Sequence, residues 1–147
     1  MKTLTKSKNF DQMLHEARVH QEMVDCGVSK SSLWRMNSRY LPKLIHDDEH
    51  IGGVAYGHSK DGSVMLVATN RRILFLNKRP LTTNEDEISY DVVAGVSFGH
   101  VGLESSITLH TRIKDYSLKT FNENSAQKFV DYVGLNHLED GELKGER

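Results

Sequence analysis

From about residue 50 to residue 121 the sequence alternates apolar and polar residues, and turn-forming residues interrupt this alternation at short intervals. A period of two is typical of antiparallel strands with one buried face. Asp61-Gly62, Asn70-Arg71 and Lys114-Asp115 are natural turns between such strands. The pattern predicts strands over residues 50–56, 64–69, 72–77, 87–91, 93–101, 105–113 and 116–121. A seven-stranded sheet this small must bend on itself to bury one face.

Helical periodicity flanks the strands on both sides. A C-terminal helix is predicted over residues 125–135, with Asn124 as its N-cap and Gly134 as its end. Its single apolar stripe has the right size to cover the open end of a barrel. Before the strands, helices are predicted over residues 9–26 and 31–40, and Pro42 limits the second one. The apolar stripe of the first helix consists of Phe10, Met13, Leu14, Ala17 and Val24.

These elements predict an α+β, mostly β fold, in which a C-terminal helix caps a bent antiparallel barrel. Residues 1–45 form an N-terminal helical extension, and residues 46–135 form the barrel domain. Residues 136–147 contain few apolar residues and are predicted to be a disordered acidic tail.

The overall charge excludes several classes of function. The formal net charge is -1 and no long block of one sign occurs, which argues against a nucleic-acid partner and against a polybasic membrane-surface protein.

The single cysteine, Cys26, indicates a reducing compartment. The first residues lack the apolar stretch of a signal peptide, and no apolar segment reaches the length of a membrane span. We therefore expect a cytoplasmic protein.

Two motifs and one strand segment carry a resemblance to a known family. The first motif is Leu41-Pro42-Lys43-Leu44-Ile45-His46-Asp47-Asp48-Glu49-His50-Ile51, and the second is Val67-Ala68-Thr69-Asn70-Arg71-Arg72-Ile73-Leu74-Phe75-Leu76. Together with the segment Ile88-Ser89-Tyr90-Asp91-Val92-Val93, these motifs resemble bacterial PH-domain proteins of the YokE-like kind, in which that segment corresponds to the fourth strand. The resemblance covers residues 38–135. It implies a PH-like seven-stranded barrel and no enzyme activity, and some family members assemble into homo-oligomeric rings.

No catalytic or metal site is expected. His46 and His50 could ligate a divalent ion if they were on one helix, but they lie where helix changes to strand. We interpret the segment as a solvated linker in which Glu49 makes a structural contact. Arg72 is expected to hold a carboxylate or a carbonyl near the helix, and Arg71 is expected to be exposed. Cys26 has no apparent base to activate its thiol, so no catalytic residue is predicted. No cofactor is predicted either.

Basic turns form one candidate binding site. In PH domains the corresponding loops gather at the open end of the barrel, where anionic ligands bind. Carried over by that resemblance, the ligand-binding candidates are Lys60, Lys78, Arg79, Arg112 and Lys114, and His58 could join them. Acidic residues in the same loops dilute this charge, and the second strand lacks the basic residues of eukaryotic lipid-binding PH domains. Membrane contact is therefore the alternative and not the favoured function.

Protein–protein contact is the favoured function, with a second copy of the chain or another protein as the partner. The fifth strand is apolar on more than one face, and the second helix carries large apolar side chains. The interface candidates are Trp34, Met36, Tyr40, Val96 and Phe98. An alternative of equal weight is that these side chains serve to pack the N-terminal extension onto the barrel of the same chain.

Overall fold

The computed structural model describes the backbone of residues 2–60 and 62–145 and the side chains of residues 9–60 and 62–136. The extension contains helices α1 (Lys2–Asp25) and α2 (Met36–Tyr40), with 3₁₀ turns at Lys30–Trp34 and Leu41–Lys43. The strands are β1 (Ile51–Ser59), β2 (Gly62–Thr69), β3 (Ile73–Lys78), β4 (Thr83–Ile88), β5 (Val93–Val101), β6 (Glu104–Thr111) and β7 (Asp115–Thr120). A 3₁₀ turn at Tyr90–Val92 precedes β5, and α3 (Glu123–Gly145) follows β7.

The strands form one antiparallel sheet in the order β4-β3-β2-β1-β7-β6-β5. β1 and β7 meet closely where His58 pairs with Lys119, and a Cβ on Gly57 would lie only 1.9 Å from the Lys119 carbonyl oxygen. The sheet bends until β7 reaches β4, where the Tyr116 hydroxyl donates to Asp86 at 2.8 Å. The predicted bent barrel with seven strands is confirmed.

The inner core fills the barrel. Leu66, Ile107 and Leu109 are fully buried on its walls, and Phe129 and Val133 of α3 close one end. The predicted capping role of the C-terminal helix is therefore confirmed.

A second core lies on the outer side of β1–β3. Val19 and Met23 of α1 are fully buried there against Met65, Val67 and Leu74. As a result β2 is buried on both faces from Val64 onward. This double burial explains why the strand carries no charged residue, since an unpaired charge there would be desolvated.

The helical extension differs from the predicted boundaries. α1 is longer than predicted, and the predicted second helix is interrupted at Arg35, whose backbone is extended. The apolar stripe named from the sequence is not the face through which α1 packs on the sheet. The helix packs through Val19 and Met23, whereas Phe10 and Met13 face away from the sheet.

The ends of β4 and α3 also differ. The Ser89 hydroxyl accepts from the Asp91 N–H and starts a 3₁₀ turn, so β4 ends at Ile88 instead of residue 91. α3 begins earlier than predicted because Asn122, not Asn124, accepts from the Ser125 N–H at 3.1 Å. The helix continues to Gly145, so the predicted end at Gly134 is wrong. The predicted disordered tail, residues 136–147, overlaps this helix up to residue 145, and its side chains beyond Asn136 lie outside the described residues.

Candidate interaction surface

A buried ion pair within the barrel domain also bonds to the end of the extension. The Arg72 guanidinium donates to both oxygens of Glu49, at 2.9 and 3.0 Å, and to the Leu44 carbonyl at 2.7 Å. The Thr69 hydroxyl and the His46 N–H complete the bonds to Glu49, which is 0% exposed. Burial alone would raise the pKa of Glu49, but these bonds lower it to about 2. The expected structural role of Arg72 is confirmed.

A second polar contact fixes α1 on the start of β1. Glu22 accepts from the Ile51 N–H and from Arg18, each at 2.9 Å, and contacts His50 at the same distance. Arg18 also donates to the Glu49 carbonyl. Burial alone would raise the pKa of Glu22, but the bonds from Ile51, His50 and Arg18 lower it. These bonds hold α1 in one rotational setting.

That setting turns an apolar face of α1 to solvent. Phe10, Met13 and Leu14 are 59%, 66% and 54% exposed, and we call these three residues the ridge. Ala17, one turn further on, is also exposed, and Val24 is half-buried. Helix positions three, four and seven residues apart share one face, so the ridge, Ala17 and Val24 lie on one side of the helix, with His20 and Gln21 between Ala17 and Val24.

A groove lies beside the second half of this stripe. It has a volume of about 810 Å³, and α1 forms one wall through Ala17 and Val24. The other wall comes from the 3₁₀ turn and α2, with Leu33, Trp34 and Met36. Trp34 is 81% exposed, which is unusual for the largest apolar side chain. We call this feature the α1–α2 groove.

Cations outnumber acidic side chains around the α1–α2 groove, to which Glu16 contributes one carboxylate. Lys30, Arg39, Lys43 and Lys78 line it, and the ammonium groups of Lys43 and Lys78 lie 5.9 and 5.4 Å from the centre of the Tyr40 ring. The sequence contains a signal for this site that our prediction missed. No aspartate or glutamate occurs from residue 26 to residue 46, although overall charge is nearly balanced.

The structure brings together only three of the five interface candidates. Trp34, Met36 and Tyr40 line the α1–α2 groove. Val96 and Phe98 instead pack against the inner core. The two groups therefore belong to different surfaces.

The basic candidates are likewise divided. Lys60 and Lys114 share a cleft of about 670 Å³ between β1 and β7, together with His58 and Lys119. The Lys114 ammonium is 3.2 Å from Asp86. The other three lie elsewhere: Lys78 lines the α1–α2 groove, Arg79 reaches Gly62, and Arg112 donates to the Asp91 carbonyl.

The described residues contain no group of three or more histidine, cysteine, aspartate or glutamate side chains that could hold a metal ion. His46 contributes its carbonyl to Arg18, and His50 contacts Glu22. None of the described helices is long and apolar enough to cross a membrane.

In a comparison with known protein families, residues 45–134 match the family model described as "Bacterial PH domain". This match confirms the resemblance drawn from the motif that contains Thr69 and Arg72. No curated protein matches the chain. The crystal structure, at 2.00 Å, of a DUF1696 family protein with a pleckstrin-homology domain from Shewanella loihica PV-4 is similar, with 15% identity and a TM-score of 0.41. That comparison covers 74% of this chain and 91% of the other. α1 and α2 lie outside the residues that match the family.

Proposed function

The chain belongs to the bacterial PH domain family, and we propose that it is a non-enzymatic module that acts through protein–protein contacts, above all with a second copy of itself. The proposed interface is the exposed stripe of α1 together with the α1–α2 groove. We place this module in the cytoplasm because its only cysteine, Cys26, is an unpaired thiol.

The observation that carries the proposal is the exposure of the ridge. α1 already has a buried face at Val19 and Met23, so its second apolar face has no role within the described chain. Complete burial of a side chain such as Phe, Leu or Met contributes about 1.5–3 kcal/mol. Burying the exposed half of three such side chains in an interface would therefore stabilise the associated state by roughly 3 kcal/mol. Exposed apolar area of this kind, rimmed by charge, is typical of a protein-binding surface.

Sedimentation velocity of the full chain over a range of micromolar concentrations tests this proposal. We expect a species of at least twice the monomer mass, and we expect Met13→Glu to reduce it to monomer. Leu103→Glu is the matched control, because Leu103 is 94% exposed in the β5–β6 turn, away from α1. A wild-type chain that stays monomeric throughout would overturn the proposal.

The cleft between β1 and β7 supports a second candidate, the binding of an anionic ligand or an acidic phospholipid. The cleft brings together His58, Lys60, Lys114 and Lys119 along β7, with Asp115 as an acidic neighbour. Co-sedimentation with vesicles that contain acidic phospholipid, and titration with inorganic phosphate, test the two sources. We expect Lys60→Ala combined with Lys119→Ala to abolish binding and Arg71→Ala, in the β2–β3 turn, to leave it unchanged. Equal binding by the double variant would refute this site.

A further inference from the structure

We infer that the α1–α2 groove of one copy receives the ridge of a second copy, with the two α1 helices antiparallel and Ala17 at the two-fold axis. This inference rests on the proposed self-association and adds its geometry. A two-fold assembly requires one surface that is complementary to itself.

The spacing along α1 provides that complementarity. Phe10 and Val24 each lie seven residues from Ala17, on the same face of the helix. At 1.5 Å per residue, each is about 10 Å from the axis. A two-fold rotation at Ala17 reverses the helix and places Phe10 of one copy over Val24 of the other. The small Ala17 side chain allows the helices to approach closely at the axis.

The same rotation brings a protruding surface onto a recessed one. The ridge lies on the N-terminal side of Ala17, and the wall of the α1–α2 groove extends from Ala17 to Val24 on the C-terminal side. Each ridge would therefore fill the groove of the partner, where Trp34 and Met36 are exposed. A parallel arrangement would place ridge against ridge and leave both grooves empty.

The charges of the two surfaces also favour the ridge of a second copy as the occupant of the α1–α2 groove. The ridge segment, residues 9–17, carries the exposed Asp11 and contains no lysine or arginine, and its second carboxylate, Glu16, lines the groove of its own chain. The α1–α2 groove is instead lined by Lys30, Arg39, Lys43 and Lys78. An acidic helix with an apolar face fits a basic groove with an apolar floor, since opposite potentials select the partner and its orientation.

Disulfide trapping of the full chain tests the geometry. Cys26 is buried, and burial raises the pKa of its thiol to about 11, so it contributes little background. We expect Phe10→Cys mixed with Val24→Cys to form a covalent heterodimer under mild oxidation, and Phe10→Cys alone to form none. Phe10→Cys that links to itself would indicate the parallel arrangement and overturn the inference.

Two further measurements separate failure of the geometry from failure of self-association. If sedimentation shows a dimer but no mixed disulfide forms, the geometry is wrong and self-association stands. If the wild-type chain is monomeric, both fail, and co-sedimentation with acidic vesicles would then assign the basic groove to a lipid surface.

Asp11→Lys should weaken the dimer about tenfold or more, because it places a cation against the basic groove. Asp115→Lys, in β7, is the control and should leave the dimer unchanged, and an equal effect of both variants would refute the charge argument.

Discussion

Replacement of Glu49 by glutamine should destabilise the fold by about 3 kcal/mol at neutral pH. The substitution keeps the size of the side chain and removes its charge, so it imitates protonation of the carboxylate. The pKa of Glu49 is lowered from 4.5 to about 2 by Arg72, Thr69 and the His46 backbone. Each pKa unit corresponds to about 1.4 kcal/mol, which gives the stated loss. The value also agrees with the roughly 3–5 kcal/mol lost when one partner of a buried ion pair is removed.

The loss should depend on pH in a defined direction. A carboxylate whose pKa is lower in the folded state stabilises the fold above its unfolded pKa, and this contribution disappears as pH falls toward the folded pKa. The difference in unfolding free energy between wild type and Glu49→Gln should therefore be full above about pH 5. This difference in unfolding free energy should shrink as the pH falls from 4.5, the ordinary pKa of a glutamate, to the folded pKa of about 2.

Urea-induced unfolding followed by far-ultraviolet circular dichroism, repeated at several pH values, measures this difference. The matched control is Glu87→Gln, because the Glu87 carboxylate is 3.3 Å from the same guanidinium but is mostly exposed. Screened by water, that pair should contribute no more than about 0.5 kcal/mol. A loss below 1 kcal/mol for Glu49→Gln, or a loss that does not change with pH, would refute the reasoning.

Three other predictions follow from packing. Gly57→Ala should prevent stable closure of the barrel, because its Cβ would overlap the Lys119 carbonyl oxygen, whereas Gly99→Ala meets no atom within 4 Å and should melt like wild type. Met23→Ala should cost about 2–5 kcal/mol in urea unfolding, since Met23 is fully buried between α1 and the sheet. Cys26 should react with a thiol-specific disulfide reagent far more slowly in the native chain than in urea, and equal rates would contradict its burial.

The sequence predicted the strands well because each has its own alternation and turn. β5 begins and ends at the predicted residues, and most other strands differ by one to three residues at either end. β4 was misplaced at both ends. It begins at Thr83 instead of residue 87, because its first residues are polar and lack a strand's alternation, and the 3₁₀ turn at Tyr90–Val92 has the same apolar and polar spacing as a strand end. Arg72 was expected to hold a carboxylate or a carbonyl near the helix, and its bonds to Glu49 and to the Leu44 carbonyl confirm this.

The interaction surface was harder to predict, for a physical reason. α1 has two apolar faces, and local periodicity cannot show which one finds a partner in the same chain. The more obvious stripe, with Phe10 and Met13, faces solvent, while the two fully buried contacts of Val19 and Met23 secure the helix. The proximity of Lys60 and Lys114 depends on the bend between β1 and β7, which no short segment encodes, so only the family resemblance placed these two residues together.

The arrangement of α1 distinguishes the proposed assembly from a domain swap. A swapped helix would have to leave its own sheet before the partner's helix replaced it, and this opening would expose Met65 and Val67 and break the bonds of Glu22 to Ile51 and His50. The outer stripe is accessible without any of these changes, because it lies on the opposite side of the helix. Association through the stripe therefore adds buried area to a chain that is already folded, and it should be rapid and reversible.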